Sequence, residues 1–312
     1  MNEVSRRILE QVNSVIIGKE DVTEKVLMAV LAQGHVLLED VPGVGKTTMA
    51  LAFARTLGLD SRRVQFTSDT MPSDIIGFSL YNKETGRFDY KSGAVMTNLL
   101  LADEINRTSS KTQSALLEAM EEYQVTVDGH TYPLPKPFVV LATQNPVGSA
   151  GTQLLPSSQL DRFMIRTTMG YPDRQSQVDI LRERHHENPL DRLQGVVTCE
   201  ELLELIESAK QVHIADAVYD YIVDMVDATR SSELVELGVS PRGALALCRM
   251  AKAHAFVRGG DFVTPEDVYQ VFDDVCAHRL VLSAKARLGK ITAREITEQL
   301  RQQVPVPQVA QL

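Results

Sequence analysis

A glycine-rich turn at residues 40–48, DVPGVGKTT, restricts the folds open to this chain more than any other stretch of its sequence. The turn follows an apolar run at residues 35–38, HVLL, and precedes a helical pattern at residues 49–57, MALAFARTL. A strand, a glycine-rich turn and a helix in this order form the setting of a phosphate-binding loop. In such a loop the glycines let backbone N–H groups turn toward an anion, and the helix N-terminus adds its partial positive charge.

The residue types in this turn predict which of its side chains contact phosphate and which contact a metal ion. We expect Lys46 to reach the β- and γ-phosphates of a nucleotide, and the Thr47 hydroxyl to ligate magnesium. The other residues expected to surround the phosphates are Gly43, Val44, Gly45 and Thr48. Asp40 departs from the strict pattern, which has glycine six residues before the lysine. The alternative interpretation is a solvent-exposed Gly-Lys-Thr turn, and the flanking strand and helix disfavour it.

Two further apolar runs end in polar residues that suit the same site. Residues 98–102, NLLLA, lead into Asp103 and Glu104, and residues 138–142, FVVLA, lead to Asn145. Buried parallel strands read as continuous apolar runs, and ligands bind at their carboxyl ends. We therefore expect Asp103 to hold the magnesium and Glu104 to polarise the attacking water as general base. Asn145 is placed to hydrogen-bond that water or the γ-phosphate, although Asn-Pro can also simply open a turn.

These motifs occur in the order seen in ring-forming AAA+ ATPases, together with LDRF at residues 160–163 and SPR at residues 240–242. More narrowly, the chain resembles the MoxR family. The strings that carry this resemblance are LEDVPGVGKT at residues 38–47, DEINR at residues 103–107 and QSALLEAMEE at residues 113–122. The resemblance covers nearly the whole chain. It also accounts for Asp40, because members of this branch tolerate Glu-Asp or Glu-Gly at that point.

The resemblance implies further roles for single residues. Lys46 and Thr47 match the first Walker motif, Asp103 and Glu104 the second, and Asn145 the first sensor. Arg162 matches the arginine finger, which would reach the γ-phosphate held by the neighbouring subunit, and Arg242 matches the second sensor on the lid.

Some of these assignments have competing interpretations. Arg107 rivals Arg162 for the trans-acting role, and a surface salt bridge is its alternative. We expect Arg242, at the start of its helix, to fold back over the nucleotide. The resemblance suggests that Ile16, Ile17 and Gly18 line the adenine pocket, whereas the residues alone would also suit ordinary core packing.

The predicted fold class is α/β: a P-loop NTPase (AAA+) parallel-sheet core with β-hairpin insertions, followed by a smaller all-α lid. The predicted boundaries are residues 1–172 for the core and 173–312 for the lid, with a mobile tail at residues 305–312. Alternating residues around Lys-Glu-Thr-Gly at 77–90 and around Asp-Gly at 125–132 predict the two hairpins. Helical spacing recurs at residues 175–184, 199–209, 216–228, 241–257, 265–278 and 293–302.

Composition narrows the classes of function. The net charge is -9, from 32 basic and 41 acidic residues, which disfavours binding to nucleic acid or anionic lipid.

The three cysteines lack metal-ligand spacing and indicate reduced thiols. The sequence shows neither a signal peptide nor an apolar run of the roughly 18 residues that a membrane span needs, so we predict a cytoplasmic protein without membrane insertion. His185 and His186 are adjacent on a predicted helix and therefore point apart, which favours a surface pair over a metal site.

The sequence thus predicts a magnesium-dependent ATPase that acts as a homo-oligomeric ring, most simply a hexamer, with ATP and Mg²⁺ as cofactors. The resemblance implies a chaperone-like motor that activates or assembles a client protein complex, in the company of a von Willebrand factor A domain protein. Two alternatives stay open at this point. One is a nucleic-acid or metal-chelatase-type motor subunit, and the other is a nucleotide-gated scaffold with little turnover.

Overall fold

The computed structural model describes residues 1–41, 43–145, 155–183 and 188–307. The His185–His186 pair and the last five residues of the tail lie outside these ranges. The strands are β1 (Val36–Glu39), β2 (Ser61–Gln65), β3 (Gly77–Asn82), β4 (Arg87–Ser92), β5 (Leu99–Asp103), β6 (Gln124–Val127), β7 (His130–Pro133), β8 (Val139–Gln144), β9 (Ile165–Thr167), β10 (Val235–Leu237) and β11 (Val281–Leu282). The α-helices are α1 (Glu3–Asn13), α2 (Glu20–Leu31), α3 (Lys46–Thr56), α4 (Pro72–Ile76), α5 (Ser110–Glu122), α6 (Ser157–Leu160), α7 (Arg174–Glu183), α8 (Cys199–Lys210), α9 (Asp216–Ser231), α10 (Pro241–Arg258), α11 (Pro265–Cys276), α12 (Ala284–Leu288) and α13 (Ala293–Gln303).

A parallel sheet organises the first half of the chain. Its strands lie in the order β2-β5-β8-β1-β9, and every neighbouring pair is parallel. Because parallel strands share one direction, their carboxyl ends meet at one edge. The polar residues that follow β1, β5 and β8 therefore converge there, as the sequence predicted.

The central strands read as apolar runs because helices cover both faces of the sheet. In β1, Val36 and Leu38 belong to a hydrophobic cluster with α1, α2, α3 and the later helices. Leu37 points the other way, into a cluster that includes residues of α5. The alternation of β-strand side chains thus buries successive residues in two different cores.

Both predicted β-hairpins are confirmed. β3 pairs with β4, and β6 pairs with β7, each in antiparallel register. The turn between β6 and β7 has positive φ at Asp128 (50°) and Gly129 (80°), as a two-residue type I′ turn requires. The two hairpins touch each other, because the rings of Tyr90 and Tyr132 stack at a centroid distance of 4.0 Å.

The second half of the chain is helical, with one exception to the all-α prediction. β10 and β11 form a short antiparallel pair there. The strands escaped prediction because three residues and two residues are too few to show an alternating pattern. The α/β core with hairpin insertions and a helical lid is confirmed. In the part of the chain that the structure describes, no helix combines the length and the apolar character needed to cross a membrane.

Candidate functional site

The glycine-rich loop connects the carboxyl end of β1 to the first residue of α3. Gly43 and Gly45 have φ of 89° and 101°, in the left-handed region that favours glycine, and Gly45 is the residue that immediately precedes the helix. A Cβ on Gly43 would meet no atom within 4 Å, so the backbone conformation, and not crowding, requires glycine there. The N-terminus of α3 follows directly, with Lys46 and Thr47 in its first turn. This is the geometry of an anion-binding helix start.

Asp40 has a structural role that explains the departure from the strict loop pattern. Its carboxylate Oδ2 accepts hydrogen bonds from the backbone N–H groups of Met169 and Gly170, at 2.6 Å and 2.7 Å. Its Oδ1 accepts a hydrogen bond from the N–H of Val41 at 3.0 Å. The side chain is buried. Asp40 therefore ties the start of the loop to the segment that follows β9.

Lys46 is buried beneath the loop with its ammonium group facing acidic residues. Its Nζ donates a hydrogen bond to the backbone carbonyl of Asp40 at 2.8 Å. Burial lowers the pKa of Lys46 below its ordinary value, against the opposing attraction of Asp103, Asp40 and Glu104. A phosphate placed at the loop would add an anionic partner for this partly desolvated cation.

Asp103 ends β5, and both of its carboxylate oxygens have partners. Oδ1 accepts a hydrogen bond from the hydroxyl of Thr143 at 2.6 Å, and Oδ2 accepts one from Nη2 of Arg63 at 2.8 Å. The Thr143 hydroxyl in turn accepts the backbone N–H of Glu104 at 2.8 Å. Thr143 on β8 thus fixes the two neighbouring acidic residues Asp103 and Glu104 relative to each other.

Glu104 is held by two side chains at the same edge of the sheet. Its Oε1 accepts a hydrogen bond from Nδ2 of Asn145 at 2.8 Å, and its Oε2 pairs with Nη1 of Arg107 at 2.7 Å. Burial alone would raise the pKa of Glu104, but the hydrogen bonds from Arg107 and Asn145 outweigh it and hold the pKa below its ordinary value. The carboxylate is therefore ionised at neutral pH, as a general base must be.

Asn145 carries a buried acceptor that has no partner among the residues that the structure describes. Its Oδ1 makes no hydrogen bond within the described residues, although its amide group donates to Glu104. A buried carbonyl oxygen without a partner costs about 1–3 kcal/mol, so such atoms call for an explanation. A water placed beside Glu104 could donate a hydrogen bond to this oxygen, which suits the expected role of Asn145.

The donor set at this edge fits a nucleoside triphosphate with magnesium. A hydroxyl at Thr47 and a carboxylate at Asp103 are oxygen ligands of the kind that Mg²⁺ takes, and Mg²⁺ commonly completes its shell with phosphate oxygens and water. Among the residues that the structure describes, no group of three or more His, Cys, Asp or Glu side chains could hold a metal alone. A metal here would thus depend on a phosphate for part of its coordination.

The segment expected to contact adenine packs beside the start of α7. Ile16 is buried and Ile17 is half-buried. Gly18 has φ of 70°, and a Cβ on it would come within 2.2 Å of the Ser176 hydroxyl oxygen. The next residue, Lys19, donates from Nζ to the carbonyl of Tyr171 at 2.9 Å. This places residues 16–18 close to the segment after β9 that Asp40 holds, and their contact with adenine stays a prediction.

Arg162 lies at the opposite edge of the sheet from the glycine-rich loop. It precedes β9, whose first residue, Ile165, pairs with Val36 at the start of β1. The backbone N–H of Met164 donates to the carbonyl of His35 at 2.8 Å. Since a strand rises about 3.3 Å per residue, the length of β1 separates this edge from the loop by about 13 Å.

Arg242 lies beside Arg162, which differs from our expectation that it folds over the nucleotide of its own chain. Both guanidinium groups pair with Glu121 at the end of α5, Arg162 through Nη1 at 3.0 Å. The first turn of α10 is tied to the same edge, because the Ser240 hydroxyl donates to Asp161 at 2.9 Å. The lid thus carries Arg242 to the amino-terminal edge of the sheet, where it lines a cavity of about 150 Å³ with Arg162, Arg249 and Arg279.

Sequence reasoning did not identify Arg63 or Glu121 as part of these sites. Arg63 lies on β2, a strand whose polar sequence gave no signal, and Glu121 appeared only as part of the string at residues 113–122. Their roles depend on pairs 40 and 41 residues apart in sequence, Arg63 with Asp103 and Glu121 with Arg162. Such pairs become visible only in the folded chain.

Comparison with known proteins agrees with this geometry. Residues 35–165 match the family model described as ATPase family associated with various cellular activities (AAA), and residues 227–300 match the AAA lid domain. The chain is 46% identical over 301 residues to the uncharacterized protein YeaC of Bacillus subtilis, covering 96% of this chain and 94% of that protein. It is 40% identical over 312 residues to Chaperone MoxR1 of Mycobacterium tuberculosis, covering 97% and 82%. A crystal structure of a candidate ATPase from Cytophaga hutchinsonii superposes with a TM-score of 0.90 at 38% identity, covering 97% of this chain and 94% of that one.

Proposed function

The chain belongs to the MoxR family of AAA+ ATPases, and we propose that it hydrolyses ATP with magnesium as a ring of identical subunits that remodels a client protein complex. The observation that carries this proposal is the arrangement of Glu104. Its carboxylate is ionised, is oriented by Asn145, and lies at the same sheet edge as Lys46 and Asp103. This is where a water would be activated for attack on a phosphate bound at the loop.

Each residue of this edge has a separate part in the proposed reaction. Lys46 and the first N–H groups of α3 would bind the phosphates, and Thr47 and Asp103 would hold magnesium, which neutralises charge on the transferring phosphoryl group. Glu104 would accept a proton from the attacking water while Asn145 Oδ1 orients that water. The Thr143 hydroxyl would hold Asp103 and Glu104 in fixed positions relative to each other throughout the reaction.

The placement of the two arginines supports a site shared between subunits. Arg162 and Arg242 lie at the edge about 13 Å from their own loop, so they would contact the nucleotide of a neighbouring copy. An arginine supplied in trans can be worth about three to five orders of magnitude in rate. Arg107 is less suited to this role, because its ion pair with Glu104 places it at the same sheet edge as the loop of its own chain. A closed ring, most simply a hexamer, supplies every subunit with such a neighbour.

The first hairpin is the surface that we assign to the client. It exposes large apolar side chains, with relative exposures of 49% for Phe78, 52% for Leu80, 52% for Tyr81 and 70% for Phe88. Exposed apolar clusters of this kind mark sites of protein interaction.

Movement of the lid (residues 173–312) against the core (residues 1–172) during hydrolysis would move the hairpins and so act on the client. A von Willebrand factor A domain protein would be an accessory partner in this step. We place this activity in the cytoplasm, where its thiols would stay reduced.

The deciding experiment measures ATP turnover per subunit, with magnesium, as a function of protein concentration for the parent and for Arg162→Ala. The parent rate should climb with concentration as subunits assemble, and the variant should lose at least about a hundredfold at concentrations where the parent rate has reached its plateau. Arg287→Ala is the matched control, since this exposed arginine of the lid pairs only loosely with Glu236, at 3.7 Å. Equal and concentration-independent rates for parent and variant would rule out the shared site.

A further inference from the structure

Arg63 contacts the carboxylate that is expected to hold magnesium. Its Nη2 lies 2.8 Å from Oδ2 of Asp103, and Thr143 occupies Oδ1 at 2.6 Å. The Asp103 side chain is 12% exposed and the Arg63 side chain 51% exposed. The guanidinium therefore reaches the carboxylate from the solvent side, while the oxygen that faces the protein interior is already engaged.

The register of the sheet explains why Arg63 reaches this position. Gln65 on β2 pairs directly with Asp103 on β5, and Arg63 precedes Gln65 by two residues. Side chains two residues apart on a strand share a face, and diagonal neighbours lie within reach of long side chains. The same Nη2 also donates to Oε1 of Gln65 at 3.0 Å. Gln65 is thus a second acceptor that can hold the Arg63 guanidinium when another cation binds Asp103.

We propose that Arg63 is a positioning residue that competes with the metal ion for Asp103 and so makes magnesium binding conditional on the nucleotide. This inference rests on the proposed function of the site. A guanidinium and a dication cannot both use Oδ2 without repelling each other. Without nucleotide, magnesium would gain little binding free energy by displacing Arg63 from the Asp103 carboxylate. Magnesium that arrives with a triphosphate is also held by phosphate oxygens and by Thr47, and this added coordination would displace Arg63 toward Gln65.

The test measures metal binding to the protein without nucleotide, with Mn²⁺ as the probe and the loss of its free electron paramagnetic resonance signal as the readout. Arg63→Gln should bind Mn²⁺ about threefold to tenfold more tightly than the parent, since a positive charge beside the ligand has been removed. Adding Asp103→Asn to that variant should abolish the gain. Arg62→Gln is the matched control. It removes the same positive charge, but the Arg62 guanidinium of the parent donates to the carbonyl of Gly93.

Two further variants keep the test decisive. Arg63→Lys retains the charge and should bind Mn²⁺ as weakly as the parent, and Arg63→Met should reproduce the gain if Arg63→Gln folds poorly. Identical Mn²⁺ affinities for the parent and both neutral variants, or an equal gain in Arg62→Gln, would overturn the inference.

Fluorescent nucleotide binding separates this failure from failure of the proposed function. If the parent binds a fluorescent ATP analogue with Mg²⁺, and Arg63→Gln needs the same Mg²⁺ concentration for half-maximal binding, only the role of Arg63 is wrong. If the parent binds no nucleotide at any Mg²⁺ concentration, the proposed ATPase itself is wrong.

Discussion

The carboxylate of Asp40 joins two segments that are about 130 residues apart, and single residues of this kind set the shape of the site. The sequence predicted the loop, its lysine and its hydroxyl, since their spacing is local. It also marked Asp40 as a departure from the loop pattern. It could not reveal the reason, because the N–H groups that Asp40 accepts belong to Met169 and Gly170. Local patterns thus identify candidate functional side chains, whereas the contacts that orient them are long-range.

Asp40→Asn should lower the free energy of unfolding by about 1–3 kcal/mol. The asparagine keeps the shape, but its side chain has one acceptor oxygen instead of two and directs an NH₂ group at backbone donors. Urea unfolding at pH 7 measures the difference. Asp220→Asn, at an exposed position of α9, is the control and should change stability by less than about 0.5 kcal/mol. Equal losses in the two variants would mean that the carboxylate of Asp40 contributes nothing specific.

Whole elements differ in how well the sequence predicted them. β1, β5 and β8 are apolar runs because both of their faces are covered, and each was predicted. β2 was missed. Its sequence, SRRVQ, is mostly exposed, and the strand exists because its backbone pairs with β5 at the edge of the sheet. The missed strand is also the one that carries Arg63. Because β2 was not predicted, the contact of Arg63 with Asp103 was not predicted either.

His35 joins the sheet to α5, and it does so only as a neutral ring. Its Nδ1 accepts the backbone N–H of Val140 at 3.0 Å, and its Nε2 donates to the carbonyl of Met120 at 2.9 Å. A proton on Nδ1 would remove the acceptor. Burial is the main reason that the pKa of His35 falls to about 4 from its ordinary value of 6.5. The unfolded chain therefore takes up this proton at higher pH than the folded chain.

Stability should consequently fall as the pH drops from 6.5 toward 4. Between pH 7 and pH 5 the parent should lose about 2 kcal/mol more free energy of unfolding than His35→Gln, which has no ionisable group there. Urea unfolding at the two pH values measures this difference. His130→Gln, at the exposed tip of the second hairpin, should keep the pH dependence of the parent. Parallel pH profiles for the parent and His35→Gln would contradict the assignment.

At the scale of the whole molecule, the core and the lid share one hydrophobic cluster. This cluster includes Val26 and Phe53 from the first half of the chain and Met225 and Phe272 from the second. Polar contacts cross the same boundary. Lys25 on α2 pairs with the buried Asp274 on α11 at 2.9 Å. The sequence predicted a core at residues 1–172 and a lid at residues 173–312, and the continuous cluster links them on one face of the sheet.

We therefore expect the core and the lid to unfold in a single cooperative transition. The chain contains no tryptophan, so single reporters can be introduced as Tyr171→Trp, next to the segment that Asp40 ties to the glycine-rich loop, and as Phe262→Trp, in the lid. Both positions are exposed, at 76% and 56%, and substitution there should change stability by less than about 0.5 kcal/mol. The two urea midpoints should coincide with each other and with the loss of helical circular dichroism.

Phe272→Ala tests whether the shared cluster is the cause of this cooperativity. Phe272 is fully buried in the lid, and its truncation should cost about 3–5 kcal/mol. If the cluster couples the two halves, the midpoint reported from position 171 should fall as far as the one reported from position 262. A lid that melts first, with the reporter beside the loop unchanged, would show instead that the halves are separately stable and that their contact is free to open during an ATPase cycle.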